Sequence, residues 1–236
     1  MAKDLTVGSV PGTMFRFSGP MILGNLLQQC YNIADTLIVG RVLGAEALAA
    51  VGSAYTLMTF LTSVLIGLCM GSSSVCSFYY GKKEPRAMGE SILAGLILIG
   101  TASVLMNAAV FAGLDGILSL LRVPEALYGM MREYVWVIFW GIFFVFLYNY
   151  YAFLLRAAGD SVTPLWFLGG ASVLNIVLDL WFVMVLNQGI KGAALATVIA
   201  QGVSGVGIVF YTWYKEPDLW PGLKLMRGAF MRMGET

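Results

Sequence analysis

The chain has 236 residues, 59% hydrophobic and only 11% charged, with a net charge of +1 and a mean hydropathy of +0.82. A soluble domain carries about 25% charged residues, so this chain lacks the polar surface to cover a globule and reads as an integral membrane protein. Histidine is absent, which excludes a histidine-based catalytic dyad, a histidine-ligated zinc or haem and a histidine pH switch. The near-neutral balance gives no footing for nucleic-acid binding.

A membrane-crossing helix needs about 20 mostly apolar residues. Six runs qualify, at roughly Phe17–Val39, Leu48–Met70, Ile92–Leu114, Val135–Leu155, Leu165–Leu186 and Ala193–Trp213. None alternates with period two, which argues against a β-barrel. The first run contains Pro20 and Asp35 and lacks a basic start and a small-residue cleavage site, so it is no signal peptide and Met1 reads as the mature start. The second stays helix-compatible as far as Tyr80. Between spans 3 and 4, Asp115 to Glu133 reads as the longest loop, with room for a short surface-lying helix. After Trp213, Pro217 and Pro221 break the helix. Leu223–Met233 then interleaves Lys224, Arg227 and Arg232 with apolar residues; it reads as a cytoplasmic surface helix on anionic lipid or as a solvated tail.

Six spans place both termini on one side. That side would hold ten of the Lys and Arg residues, Lys3, Arg16 and Arg156 among them, against four on the other (Arg41, Arg122, Arg132 and Lys191). The positive-inside rule therefore makes both termini cytoplasmic. Cys30, Cys69 and Cys76 sit in or beside spans and read as reduced, small apolar residues.

An ionised side chain at the bilayer centre costs about 2.5–3.5 kcal/mol on insertion scales. Two spans carry one: Asp35 in span 1 and Asp179 in span 5. Asn175 lies one turn before Asp179 on the same face, and Thr197 stands in span 6. Counting from the turns at about 1.5 Å per residue, Asp35, Asp179 and Thr197 all fall roughly 7–12 Å inside the outer boundary. Carboxylates with amide and hydroxyl oxygens suit a hard cation or a bound proton. The alternative is that each serves as helix glue, bonding a local carbonyl or neighbour. Pro20, on the helix of Asp35, removes an internal hydrogen bond and bends or hinges span 1. Gly67 and Gly71 form a GxxxG, a packing signal for close helix approach. No pattern supports an enzyme: Ala157-Ala158-Gly159-Asp160 lacks the first glycine of a GxGD motif, and Gly71-Ser72-Ser73-Ser74 has no histidine to activate a serine.

The segment QQCYNIADTLIVGRVLGAEALAAVGSA, Gln28–Ala54, resembles the first-span signature of the multidrug and toxic compound extrusion (MATE) transporters. YYGKKEPRAMGES after span 2, LLRAAGDSVTPL at Leu154–Leu165 and NIVLDLWFVMVLNQGIKGAALATVIAQ at Asn175–Gln201 resemble further family segments in the same order. The resemblance implies an all-α membrane fold of the MOP superfamily, built from two six-helix lobes about a pseudo-twofold axis. It implies a multidrug efflux antiporter that exports organic, often cationic, compounds in exchange for Na+ or H+, with no cofactor, in the cytoplasmic (inner) membrane. It assigns the cation or proton site to Asp35, Asn175, Asp179 and Thr197, which would also ligate Na+. Tyr134 and Asn149 would extend the polar network, with Asn149 counting out much deeper than the rest, and Pro20 would mark the bend of span 1. Family members have about twelve spans. Residues 1–213 are therefore expected to be the N-terminal lobe and 214–236 a connector toward a second lobe, either a missing C-terminal half or a second copy. The alternatives are a lipid-linked oligosaccharide or lipid flippase of the same superfamily, and a non-transporting membrane scaffold. Nearly all Arg and Lys map to loops or span ends, which counts against the flippase.

Overall fold

In a computed structural model of the chain, residues 10–220 are described, the side chains at positions 10, 13 and 16 excepted. They form six long helices: α1 (Val10–Val42), α2 (Ala45–Gly81), α3 (Pro85–Leu120), α4 (Glu125–Ala157), α5 (Val162–Val185) and α6 (Gly189–Lys215). The six expected spans fall one in each. Helices α2 to α6 are long and apolar enough to cross a membrane. The first has the length, but it carries Asn25, Gln28, Gln29, Asn32 and Asp35 and is correspondingly more polar. The stretch 221–236, with its expected amphipathic helix, and the terminal Lys3 lie outside the described residues.

Connections are short, and each contains a residue in the left-handed region: Gly44, Lys83, Arg122, Gly159, and Asn187 with Gly189. Gly44 (φ 90°) and Gly159 (φ 88°) adopt a backbone that a Cβ would strain. The expected surface helix between spans 3 and 4 is absent. Instead α3 runs on through Gly116 to Leu120, and Pro124, whose extended backbone precedes the helix, starts α4 one residue later. Four residues suffice for this turn, and Asp115 clasps it from outside. Its Oδ1 accepts from Arg132 Nε (2.8 Å) and Tyr128 Oη (2.9 Å).

Helix α4 is the most enclosed element. Phe139, Phe146, Tyr150 and Tyr151 are fully buried on it, and it packs on α2, α3 and above all α6. At Phe139–Gly141 it tightens into a 3₁₀ turn, and Asn107 of α3 donates its amide to the Phe139 carbonyl at 3.0 Å. Tyr150 Oη donates to the Ile92 carbonyl and ties α4 to α3. The first helix stands apart from α4: it packs mainly on α5 and only lightly on α2. A cleft therefore opens between α1, α2 and α4.

Among the described residues the GxxxG of α2 mediates no close approach. A Cβ at Gly67 or Gly71 would meet nothing within 4 Å. The tight crossing lies between α4 and α6, where a Cβ on Gly205 would come 2.6 Å from the Phe144 carbonyl oxygen.

Candidate functional site

Asp179 is the last α-helical residue of α5, and Leu180–Val185 then widen into a π-helical segment. Such segments recur at functional sites because they leave the regular i to i−4 ladder. Here Leu186 N–H reaches the Trp181 carbonyl at 2.9 Å. Asp179 is completely buried, Asn175 is 2% exposed and Thr197 of α6 is 7% exposed.

The Asn175 amide joins the group. Oriented with its nitrogen toward Asp179, it donates to Asp179 Oδ2 at 3.1 Å, and its oxygen accepts from Thr197 N (3.3 Å) and Oγ1 (3.2 Å). This orientation gives every contact a donor and an acceptor; the opposite one directs Nδ2 at Thr197 Oγ1 and leaves the amide oxygen facing a carboxylate. Thr197 Oγ1 also reaches the Ala193 carbonyl at 3.2 Å.

Asp35 approaches from α1, and its carboxyl lies within hydrogen-bonding reach of that of Asp179. Tyr31, one turn before Asp35, and Tyr134 of α4 stand close enough to interact electrostatically with both acids. Asp35 Oδ1 and Asp179 Oδ1 are buried with no hydrogen-bond partner among the described residues. Two facing carboxylates repel in a low dielectric, and unsatisfied buried oxygens are costly. A cation or a proton between them removes both penalties.

The structure thus brings Asp35, Asn175, Asp179, Thr197 and Tyr134 together. It does not bring Asn149 with them. Asn149 is 15 residues beyond Tyr134 on α4, about 22 Å along the axis, and its amide donates to the Val145 carbonyl at 2.8 Å. Pro20 lies inside α1, which passes through it as one helix.

Asp35, Tyr134, Asn175 and Thr197 line a cavity of about 720 Å³ that runs between α1, α2, α4, α5 and α6. Tyr31, Tyr55, Gln28 and Asn149 line it too. Tyr31, Tyr55 and Gln28 were not singled out from the sequence, although Gln28, Asn32 and Asp35 recur at i, i+4 and i+7, the spacing of one polar helix face. Arg156 was read as a loop residue; it stands within the last turn of α4 and lines the same cavity.

Comparison with known proteins places the fold. Residues 20–181 match the family model MatE. The probable multidrug resistance protein YpnP of Bacillus subtilis is 37% identical over 210 residues, covering 89% of this chain and 47% of that protein. YoeA of the same organism, also named a probable multidrug resistance protein, is 36% identical, covering 86% of this chain and 45% of its own length. An outward-facing multidrug resistance MATE family transporter of the MOP superfamily superposes with a TM-score of 0.82 at 28% identity, over 89% of this chain and 46% of that one. A MOP superfamily transporter from Pyrococcus furiosus gives 0.83 at 26% identity, over 94% and 51%. The chain belongs to the MATE family and is a multi-pass membrane protein. It spans about half the length of the curated relatives it matches.

Proposed function

We propose that this chain forms the first six-helix lobe of a multidrug efflux antiporter, in which Asp35 and Asp179, with Asn175 and Thr197, bind the coupling ion, Na+ or H+. The observation that carries the reading is the pair of facing carboxylates with two buried, unpartnered oxygens, one of them on the wall of a cavity. An ion entering from outside occupies this pair and joins α1 to α5 and α6. Without it, the two charges push α1 away. Ion and drug then favour different arrangements of the same cavity, and such differential affinity is sufficient to couple export to ion entry. Pro20 serves as the hinge of α1, about 22 Å from Asp35 along the helix.

In this reading the lobe rocks against a second six-helix lobe, as alternating access requires, and residues 214–236 lead toward it. The protein sits in the cytoplasmic membrane with both ends of this chain in the cytoplasm. That orientation rests on the charge asymmetry of the loops.

The test is efflux of a cationic dye by the complete protein, measured against sodium at fixed pH and against pH without sodium. Asp35→Asn and Asp179→Asn should each abolish export and its ion dependence. Wild-type export with intact ion dependence in both variants refutes the proposal.

A further inference from the structure

Among the described residues, Arg156 is the only lysine or arginine that lines the cavity, as Asp35 is the only acid. It occupies the last turn of α4, but its side chain turns back along its own helix. The guanidinium carbon lies 5.2 Å from the centroid of the Phe153 ring, one turn earlier. Tyr148, two turns earlier, is near enough to interact with it electrostatically. A helix tilts long side chains this way, and the tilt carries this cation from the helix end into the cavity wall.

Among the described residues the guanidinium has no hydrogen-bond or ion-pair partner beyond its contact with the Phe153 ring. Nε is buried with no acceptor, and no described carboxylate pairs with the side chain. Asp160, the acid nearest in sequence, is committed elsewhere: Oδ1 accepts from the backbone N–H groups of Val162 and Thr163, both at 3.0 Å, and Oδ2 accepts from Thr163 Oγ1 at 2.6 Å. The Tyr148 hydroxyl donates to the Pro164 carbonyl at 3.1 Å. A basic residue in a last turn ordinarily meets the terminal carbonyls or snorkels to water. Arg156 makes no hydrogen bond to those carbonyls and lies back over an aromatic ring.

We propose that Arg156 is an anion-recognition site at the end of the cavity opposite the carboxylates, taking the carboxylate or phosphate of an amphiphilic compound whose apolar body lies along Phe153 and Leu168. The planar guanidinium presents paired donors that match two oxygens of such a group. Phe153, under the guanidinium, and Leu168 of α5 both line the cavity. Arg156 is 22 residues past Tyr134, about 33 Å along α4, so the anion and the carboxylate-bound ion occupy separate ends. The cavity then admits acidic and zwitterionic compounds as well as cations. The proposal rests on reading this cleft as the substrate cavity. Its test measures binding without an ion gradient, so its failure is distinct from a failure of antiport.

The anion has two possible sources, a soluble organic acid or a lipid headgroup. The intact protein in phosphatidylcholine nanodiscs is titrated calorimetrically with 1-naphthyl phosphate and, separately, with 1-naphthylmethylammonium. Arg156→Gln should weaken the phosphate by at least about tenfold and leave the ammonium unchanged. Arg156→Lys, which keeps the charge but loses the fork, should fall between. Arg122→Gln, in the α3–α4 turn, should change neither. No binding of the phosphate to the wild type overturns the proposal. So does Arg156→Gln, with wild-type thermal stability, binding it within about twofold of wild type. Should Arg156→Gln fail to fold, unchanged affinity in Arg156→Lys overturns it equally. Repeating the titration in phosphatidylglycerol nanodiscs separates the sources. Competition in the wild type that is lost in Arg156→Gln assigns a lipid headgroup. Equal wild-type affinity in both lipids assigns a soluble anion. Equal competition in both proteins refutes the lipid source.

Discussion

Replacing Gly205 by alanine tests how closely α4 and α6 are required to pack. The added Cβ would stand 2.6 Å from the Phe144 carbonyl oxygen, 3.3 Å from its carbonyl carbon and 3.4 Å from its Cα. Ordinary contact begins at 3.4 Å, so the oxygen is about 0.8 Å too close. All three obstacles are backbone, and no rotamer change relieves them. The two helices must part along the most extensive interface between the described helices. Overpacking of a rigid core costs about 1–3 kcal/mol, and the backbone obstacle puts this case near the upper end. For a chain of this length each kcal/mol moves the melting temperature by about 2–4 °C, so Gly205→Ala should lower it by roughly 5–10 °C. Gly67→Ala and Gly71→Ala, with nothing within 4 Å, should leave it unchanged. The assay is the monomeric fraction that survives heating in detergent, followed by size-exclusion chromatography. A Gly205→Ala protein that melts with the wild type, or a Gly67→Ala protein that falls as far, refutes the packing argument.

Thr197→Val keeps the shape of the side chain but removes the hydroxyl that meets Asn175. It should raise the half-saturating concentration of the coupling ion about tenfold, the loss of one good hydrogen bond, with Thr197→Ser near wild type; efflux against ion concentration reads it. Asp160→Ala removes the acceptor of two backbone N–H groups at the start of α5 and should cost about 1–2 kcal/mol, a fall of a few degrees in thermal melting that Asp160→Asn largely avoids. Tyr134→Phe should weaken ion dependence, because its hydroxyl stands by the two acids. Asn149→Leu should not, because its amide is committed to Val145, and the same efflux titration compares the two.

The spans were legible because each apolar run is long and its ends carry Gly, Pro or charge. The misread stretch, Asp115 to Glu133, shows what that signal lacks. Gly116 and Asp115 look like turn residues, yet the helix passes through both. Glycine is tolerated inside a helix when packing outweighs its roughly 1 kcal/mol cost, and Asp115 finds Arg132 and Tyr128 across the turn. The glycine pair of α2 failed for a related reason. Spacing identifies a smooth helix face but not the neighbour that uses it, and Gly205 meets α4 without any GxxxG partner.

The candidate site was more legible than the packing because depth and direction are encoded differently. A helix rises by a fixed step, so counting from a turn gives a residue's position across the membrane. Asp35, Asp179 and Thr197 come from three helices, yet the count places them at one level, and Asn149 counts away from them for the same reason. Direction around each axis has no such ruler. Nothing in the sequence says that α1 leans on α5 rather than α4, and that choice opens the cleft and turns Gln28, Asn32 and Asp35 toward it. Arg156 shows the limit from the other side. Its place in sequence, at the end of a span beside a turn, implied a solvated loop cation, whereas it stands within the last turn of α4. Its direction, back over Phe153, is what places the charge in the cavity. A charged residue in the last turn of a membrane helix is therefore ambiguous in sequence, and the question to ask of it is which acceptors nearby are already taken.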